Sequence, residues 1–296
     1  MGPQRQGGLT PMTVEERGTL YVVGTPIGNL DDMTGRAVRI LAAVSLVACE
    51  DTRRTRKLLS RYGIRTRVMS CHEHKEGACA HEVIHVLASG AHAAFVSDAG
   101  TPGLSDPGRV LVDRVREAGF PVVPIPGVSA VTAALSVSGL SGDSFHFAGF
   151  LPAKREARRK ALEGLAGLPV PLVFFEAPHR IKVFLEDLFH VLGDREMLLG
   201  RELTKVHETI LRGRISEVAA GLEGMEPKGE ITVVVEGASE REDEDRSHDL
   251  DAAGRVMEAM TTGRALSRKE AASLLSGLTG LSRKTLYGLS CSRESE

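Results

Sequence analysis

The feature that most limits what this chain can become is an alternation. Short apolar runs, each about a strand long, end in glycine- or proline-bearing turns and are separated by amphipathic stretches. Leu20–Thr25 (LYVVGT), Ser45–Glu50 (SLVACE), Ala93–Gly100 (AAFVSDAG) and Pro121–Gly127 (PVVPIPG) are such runs, with the amphipathic stretch Met33–Ala43 after the first. Continuously apolar short runs read as strands buried on both faces, which is the pattern of a helix-covered α/β sheet. After Ser144 the rhythm restarts with FHFAGF, PLVFFE, MLLGRE and EITVVVEG, interrupted by the helical patterns Arg155–Leu165 and His179–Leu192. A boundary near Ser138–Ser144 follows, and with it two α/β domains.

The expected organisation is a disordered extension over 1–17, an N-terminal α/β domain over 18–140, a C-terminal α/β domain over 141–238, an acidic linker over 239–250 and a small helical domain over 251–296. Ser239–Leu250 carries six acids and two arginines with no core-forming period, as a solvated linker does. Beyond it, Ser267-Arg268-Lys269-Glu270 is a capping box, and Leu278–Ser282 is a glycine-containing turn. Two short helices around that turn read as a helix-turn-helix or as a plain helical hairpin.

At 296 residues the chain is long enough for about two domains. Lys and Arg number 37 against 39 Asp and Glu, so a uniformly basic nucleic-acid coat is excluded while a local basic face is not. The longest apolar stretch, near Ile40–Cys49, is about half a bilayer span. The N-terminal stretch lacks the apolar run of a secretory signal. Four cysteines without a CxxC point to reduced thiols and a cytoplasmic location. With no Trp and three Tyr, an aromatic platform for single strands is disfavoured.

Three loops carry the candidate chemistry. Gly24–Leu30 (GTPIGNL) follows the first strand, and its glycines let a ligand approach the backbone. It is neither GxGxxG nor a Walker loop. Ser97–Gly108 (SDAGTPGLSDPG) follows the third strand, where ligands collect outside the carboxyl ends of α/β sheets. In it Asp98 can accept hydrogen bonds from a ribose or an amine, and Asp106 can equally cap the next helix. Pro126–Ala130 (PGVSA) presents Ser129 and a helix N-terminus. Together the loops offer donors and small walls without an obvious nucleophile, which favours a polar cofactor over covalent catalysis.

Cys71, His72, His74, Cys79, His81 and His85 lack the paired spacing of a structural zinc site, so no metal is expected. Basic residues gather in two runs. Thr52–Arg67 holds seven Lys/Arg and no acid, Arg53, Arg54 and Arg56 among them, and Lys154–Lys160 holds five, including Lys154, Arg158 and Arg159. Such runs suit phosphate backbones, or are simply exposed helix faces.

The ordered set TPIGNLDD, CEDTRRTRKLL, HEH, SDAGTPGLSDPG, IPGVSA, GFLPAK, FFEAPHR, RELTK, HET and KGEITVVVEG resembles the tetrapyrrole methylase superfamily, in the branch that acts on ribosomal RNA. The likeness runs from Thr19 to Gly237; Lys75 and Cys49 depart from the expected pattern. It implies S-adenosylmethionine as cofactor, held in a cleft between two α/β domains. It also implies 2′-O-methylation of a cytidine in the decoding region of 16S rRNA, on RNA or the small subunit, by a cytoplasmic homodimer. The cofactor residues it implies are Thr25 and Pro26; Ser97, Asp98, Ala99, Gly100 and Leu104; Val128, Ser129 and Ala130; and Phe175, Gly229 and Glu230. Because a ribose hydroxyl is a poor nucleophile until its proton leaves, a base or a cation should assist. Glu50, Asp51, Glu176 and His179 are candidate bases, and Lys154 and Arg201 candidate cations. Glu176 and His179, at the end of a strand facing the expected cleft, are the first choices, although Glu176 can instead hold the cofactor with Arg180 as its partner. Two other readings compete: a methyltransferase of a corrin precursor, and a non-catalytic RNA-binding assembly factor.

Overall fold

Each apolar run of the first half becomes a strand of one parallel sheet. In this computed structural model the described residues are 18–72, 76–140, 143–239, 252–261, 266–279, 283 and 286–287. The N-terminal extension, the EHK segment at 73–75, the linker residues 240–250 and the turn residues 280–282 lie outside them. The strands are β1 (Leu20–Val23), β2 (Leu46–Cys49), β3 (Val68–Ser70), β4 (Ala93–Val96) and β5 (Val122–Ile125), in the order β3-β2-β4-β1-β5. All pairings are parallel. The intervening helices are α1 (Gly35–Ala43), α2 (Thr52–Arg61), α3 (Glu76–Ala88) and α4 (Arg109–Glu117), followed by α5 (Ala130–Ser138) after β5. Thr34 and Asp51 cap α1 and α2 by accepting the amides of Ala37 and Arg53.

Helices cover both faces, which is why the strands had to be apolar throughout. Val23, Val47, Ala94 and Val96 pack with Leu41, Leu58 and Leu59 on one side. Leu20, Leu46, Ala48 and Phe95 pack with Val83, Leu87, Leu111 and Val115 on the other. Burying such side chains contributes about 1.5–3 kcal/mol each.

The second sheet is mixed. Its strands β6 (His146–Phe150), β7 (Leu172–Glu176), β8 (Glu196–Arg201), β9 (Thr209–Arg214) and β10 (Ile231–Val235) run in the order β6-β7-β10-β8-β9. β6 pairs with β7 in parallel and the remaining pairs are antiparallel. Helices α6 (Arg155–Glu163), α7 (Ile181–Leu192) and α8 (Ile215–Gly221) accompany it. Helix α5 and Ile27 join the two sheets: Val131, Ala134 and Ile27 share a buried cluster with Val173, Leu198 and Val234. Both sheets belong to one compact unit.

A second unit contains a helix over 252–261, α9, and α10 (Arg268–Thr279). Ala253, Met257, Ala271, Ala272, Leu275 and Leu286 form its core. The capping box is present: the Ser267 amide donates to Glu270 Oε2 at 2.9 Å, and the Glu270 amide to Ser267 Oγ at 3.3 Å.

Two expectations are corrected here. Cys71 and Cys79 are disulfide-bonded, not reduced; the turn from β3 into α3 brings their Cα atoms to 5.5 Å. Cys49 is free and buried. Nor do Arg158 and Arg159 of the run Lys154–Lys160 stand as free cations facing solvent. Arg158, with its side chain only 3% exposed, donates to Asp187 of α7 at 2.6 and 2.9 Å and to the carbonyl of Ala153 at 3.0 Å. Arg159 and Arg155 reach the other Asp187 oxygen at 2.6 and 3.0 Å. Burial alone would raise the Asp187 carboxyl, but hydrogen bonds from Arg159, Arg158 and Arg155 hold it below the ordinary carboxylate value. Thus Arg158 and Arg159 clamp α6 to α7, while Lys154 stays exposed beside them.

Removing Asp187 would leave the buried Arg158 guanidinium without its counter-charge. Asp187→Ala is expected to cost about 3–5 kcal/mol in urea unfolding; a loss below about 1 kcal/mol, the scale of a surface pair, would contradict this reading of the cluster.

Candidate active site

Strands β4, β1 and β5 are neighbours and parallel, so the three loops leaving their carboxyl ends emerge side by side. Thr25 and Gly100 exchange both backbone hydrogen bonds, at 2.9 and 3.1 Å, stitching the first loop to the second. Thr101 Oγ1 donates to the Val128 carbonyl at 3.4 Å, linking the second to the third. The first and third loops touch backbone to backbone: a Cβ on Gly24 would stand 2.8 Å from the Gly127 amide nitrogen, so only glycine fits either position. Ser105 of the second loop holds a left-handed φ of 58°, and such strain is often kept at functional sites.

Against these loops lies the end of the mixed sheet, and a cavity of about 360 Å³ opens between them. Ala99, Gly100, Leu104, Ser129 and Ala130 line it from the parallel half. Phe175, Glu176, Gly229 and Glu230 line it from the other. All nine are residues that the sequence points to. A second cavity of about 350 Å³ adjoins the first, with Ile27, Ala99 and Glu230 common to both. Thr25, Pro26, Ser97 and Asp98 line this second space together with Arg54, Lys57 and Lys205. Val128 lines neither and contributes its carbonyl to the loop contact.

Glu176 ends β7 with its side chain fully buried. Its Oε1 accepts from the Ala177 amide at 2.6 Å and from Arg180 Nε at 2.8 Å. Its Oε2 is buried without a partner among the described residues. Glu176 also lines the first cavity, and a buried oxygen left unsatisfied is a place for a water, an ion or a ligand donor. His179 is exposed and lines neither cavity. Of the other named arginines, Arg53 is 88% exposed and pairs with Asp51, Arg56 is exposed, and Arg54 pairs with Asp98 at 3.2 Å.

The residue that sequence reasoning underrates is Asp106. It lines the first cavity and does not cap α4: the N-cap is Gly108, and the buried Glu76 carboxylate accepts the Gly108 and Leu111 amides at 3.1 Å each. Burial pushes the Asp106 carboxyl up to about 6; the Ser97 hydroxyl opposes this, and the charges of Glu50, Asp98 and Glu230 add to it. Glu50 is also raised, first by burial and then by Asp98. The available signal was a second aspartate in one long glycine-rich loop, ambiguous until its neighbours are known.

The family model for Tetrapyrrole (Corrin/Porphyrin) Methylases matches residues 19–219. The chain is 44% identical over 277 residues to a Neisseria meningitidis serogroup B protein named ribosomal RNA small subunit methyltransferase I, covering 93% of this chain and 94% of the relative. The Xylella fastidiosa protein of that name is 45% identical, covering 92% and 98%. The one from Escherichia coli O157:H7 is 43% identical, covering 92% and 94%. Among solved structures, the methyltransferase CobJ superposes with a TM-score of 0.58 at 20% identity over 75% of this chain and 95% of its own. The cobalt precorrin-4 methyltransferase CbiF superposes with a TM-score of 0.57 at 16% identity, over 77% and 98%. These two show a shared fold.

A carboxyl raised from 3.8 to about 6 favours the folded state below its unfolded value and loses that contribution as pH rises through about 6. Asp106→Asn is therefore expected to raise the thermal midpoint most at about pH 8, with the gain shrinking as pH falls toward about 4. An equal shift at both ends of that range would refute the assignment.

Proposed function

The chain belongs to the tetrapyrrole methylase family, in its ribosomal RNA small subunit methyltransferase I branch, and on that premise we propose that it methylates the 2′-hydroxyl of a cytidine in the decoding region of 16S rRNA. It is an S-adenosylmethionine-dependent ribosomal RNA methyltransferase. The observation that carries the finer reading is the pairing of two adjoining cavities, one largely apolar with a single unsatisfied buried carboxylate oxygen, the other walled by cations.

The residues of the first cavity fit the cofactor. Leu104, Ala130 and Phe175 offer apolar walls for an adenosine, Ser129 a hydroxyl, and Glu176 Oε2 an acceptor in want of a donor. Asp106 and Glu230 add acidic groups suited to a cationic ligand. S-adenosylmethionine, when bound, supplies a methyl group activated on a positively charged sulfur. The chain's own work is to position the sugar oxygen against that methyl and to take up its proton.

For the proton we assign Asp106. Its carboxyl stands at a cavity wall with a pKa near 6, so at neutral pH it is ionised yet still basic. Glu176 is assigned to holding the cofactor, because Arg180 and the Ala177 amide already fix one of its oxygens. His179, exposed and outside both cavities, receives no part. The proposal extends to a homodimer working in the cytoplasm and to the domain division at 140/141, with 251–296 as a separate helical domain. Among the described residues no helix is long and apolar enough to cross a membrane.

The test is methyl incorporation from labelled cofactor into small-subunit RNA, followed by nuclease digestion and mass mapping. A single 2′-O-methylcytidine is expected; labelling of a corrin precursor alone, or no labelling, would overturn the proposal. In log kcat/KM against pH, a limb of unit slope is expected below about 6. Asp106→Asn should lower the rate about 100-fold or more and abolish that limb. A variant that keeps the limb excludes Asp106 as the proton acceptor.

A further inference from the structure

One wall of the second cavity comes from the turn between β8 and β9. Between β8 and β9, Glu202 and Thr204 hold left-handed φ values of 53° and 67°, a conformation non-glycine residues rarely adopt. Several bonds hold the turn in place. The Glu202 amide donates to the Glu230 carbonyl at 2.9 Å, the Thr204 amide to Glu208 Oε2 at 2.6 Å, and the Asn29 amide to Thr204 Oγ1 at 3.1 Å. What the turn delivers is Lys205. A Cβ on Gly28 would stand 2.2 Å from Lys205 Cγ, so glycine at 28 is what lets the lysine cross the first loop and reach the cavity wall.

Lys205 Nζ donates to Glu202 Oε1 at 2.7 Å and to Glu230 Oε2 at 3.1 Å. Burial alone would depress this ammonium, but the Glu202 and Glu230 carboxylates hold its pKa above the ordinary lysine value. An ammonium has three donors, and these two bonds leave a third for a ligand. Facing it across the cavity, Arg54 and Lys57 come from α2. Arg54 turns one terminal nitrogen to Asp98, and the other terminal nitrogen and Nε carry a further three N–H donors. Three cations, two from α2 and one from the β8–β9 turn, thus line, together with the engaged carboxylates Asp98 and Glu230, a space that shares a wall with the cofactor cavity. Phosphate oxygens are the ligand class that such a set of point and fork donors recognises.

We propose that this second cavity seats the sugar–phosphate of the target nucleotide, with Arg54 and Lys57 on one wall and Lys205 on the other taking the phosphates that flank the reacting ribose. This rests on the ribosomal RNA reading above and deepens it. It also moves RNA contact away from Arg158 and Arg159, which are spent on Asp187, and onto Lys57 of the first basic run and Lys205, which lies outside both runs.

The test uses the full chain, a short single-stranded RNA carrying the decoding-region sequence, and S-adenosylhomocysteine as the cofactor probe. Lys57→Ala and Lys205→Met are each expected to weaken RNA binding at least tenfold at low salt. Each should also reduce the slope of log affinity against log salt by about 0.7, the share of one phosphate contact on a single strand. The affinity of Lys57→Ala for S-adenosylhomocysteine should stay within twofold, and Arg116→Ala, an exposed cation of α4, should change neither quantity. Lys57 is exposed on its helix, so its variant folds and decides the matter even where Lys205→Met unsettles the strained turn. If the unaltered chain methylates the RNA while Lys57→Ala keeps its affinity and salt slope, the cavity assignment is overturned alone. If the unaltered chain neither binds nor methylates small-subunit RNA, the functional reading falls and takes this proposal with it.

Discussion

A parallel strand that ends at a sheet edge leaves backbone amides and carbonyls which the next loop must satisfy without a hairpin partner. In this molecule β1 and β4 meet that demand with each other's loops. Thr25 and Gly100 trade amide and carbonyl, and Thr25 Oγ1 donates to the Ser97 carbonyl at 3.3 Å. That exchange fixes the floor between the two cavities, because Thr25 lines one and Gly100 the other. Glu76 secures the far end of the same loop: its two carboxylate oxygens satisfy the amides of Gly108 and Leu111 that would otherwise be orphaned where α4 begins. The twelve-residue loop from Ser97 to Gly108 is thus tied at both ends and strained between them, at Ser105.

How much of this could be read from the residues depends on how local each cause is. Strands β2 and β4 announce themselves because burial on both faces demands unbroken apolar runs, and β1 and the edge strand β5 do so through apolar runs that end in glycine-bearing turns. The short β3, Val68–Ser70, lies at the sheet edge and is half-buried, so its sequence has no such run. Strand β9 escapes for the opposite reason: TILRGR alternates, with one face on the sheet's partners and the other exposed, as an edge strand does. The loops of the cofactor cavity were legible because glycine and proline mark backbone conformation directly. Glu76 was not, since a carboxylate capping a helix 32 residues away leaves no local pattern.

Charge was the least legible property, and the reason is physical. A run of arginines states how many cations exist, not where their counter-charges come from. Arg158 is buried because Asp187, 29 residues later, arrives beside it when α6 packs on α7. Similarly, Arg180 is tied to Glu176, and Arg53 to its own helix cap, Asp51. The disulfide between Cys71 and Cys79 follows the same logic: eight residues separate them along the chain, and only the β3–α3 turn makes them neighbours.

A chain with a formal charge of -2 can still bind a polyanion if its positive groups are placed where the opposing carboxylates are already engaged. The wall between the cavities meets that condition. Asp98 accepts the Asp51 amide and pairs with Arg54, while Glu202 holds Lys205 and the Glu230 amide together. Asp98 and Glu230 line the second cavity beside the cations they engage, while Asp106 lines the first. The same carboxylates that raise the proton affinity of Asp106 therefore also hold the cations at the neighbouring wall. In the proposed reading the first cavity serves the proton and the second the phosphate, and the two chemistries need opposite charges within a single pair of adjoining spaces. Both halves of the fold contribute to this pair of spaces, Arg54 and Asp106 from the parallel half and Lys205 and Glu230 from the mixed one.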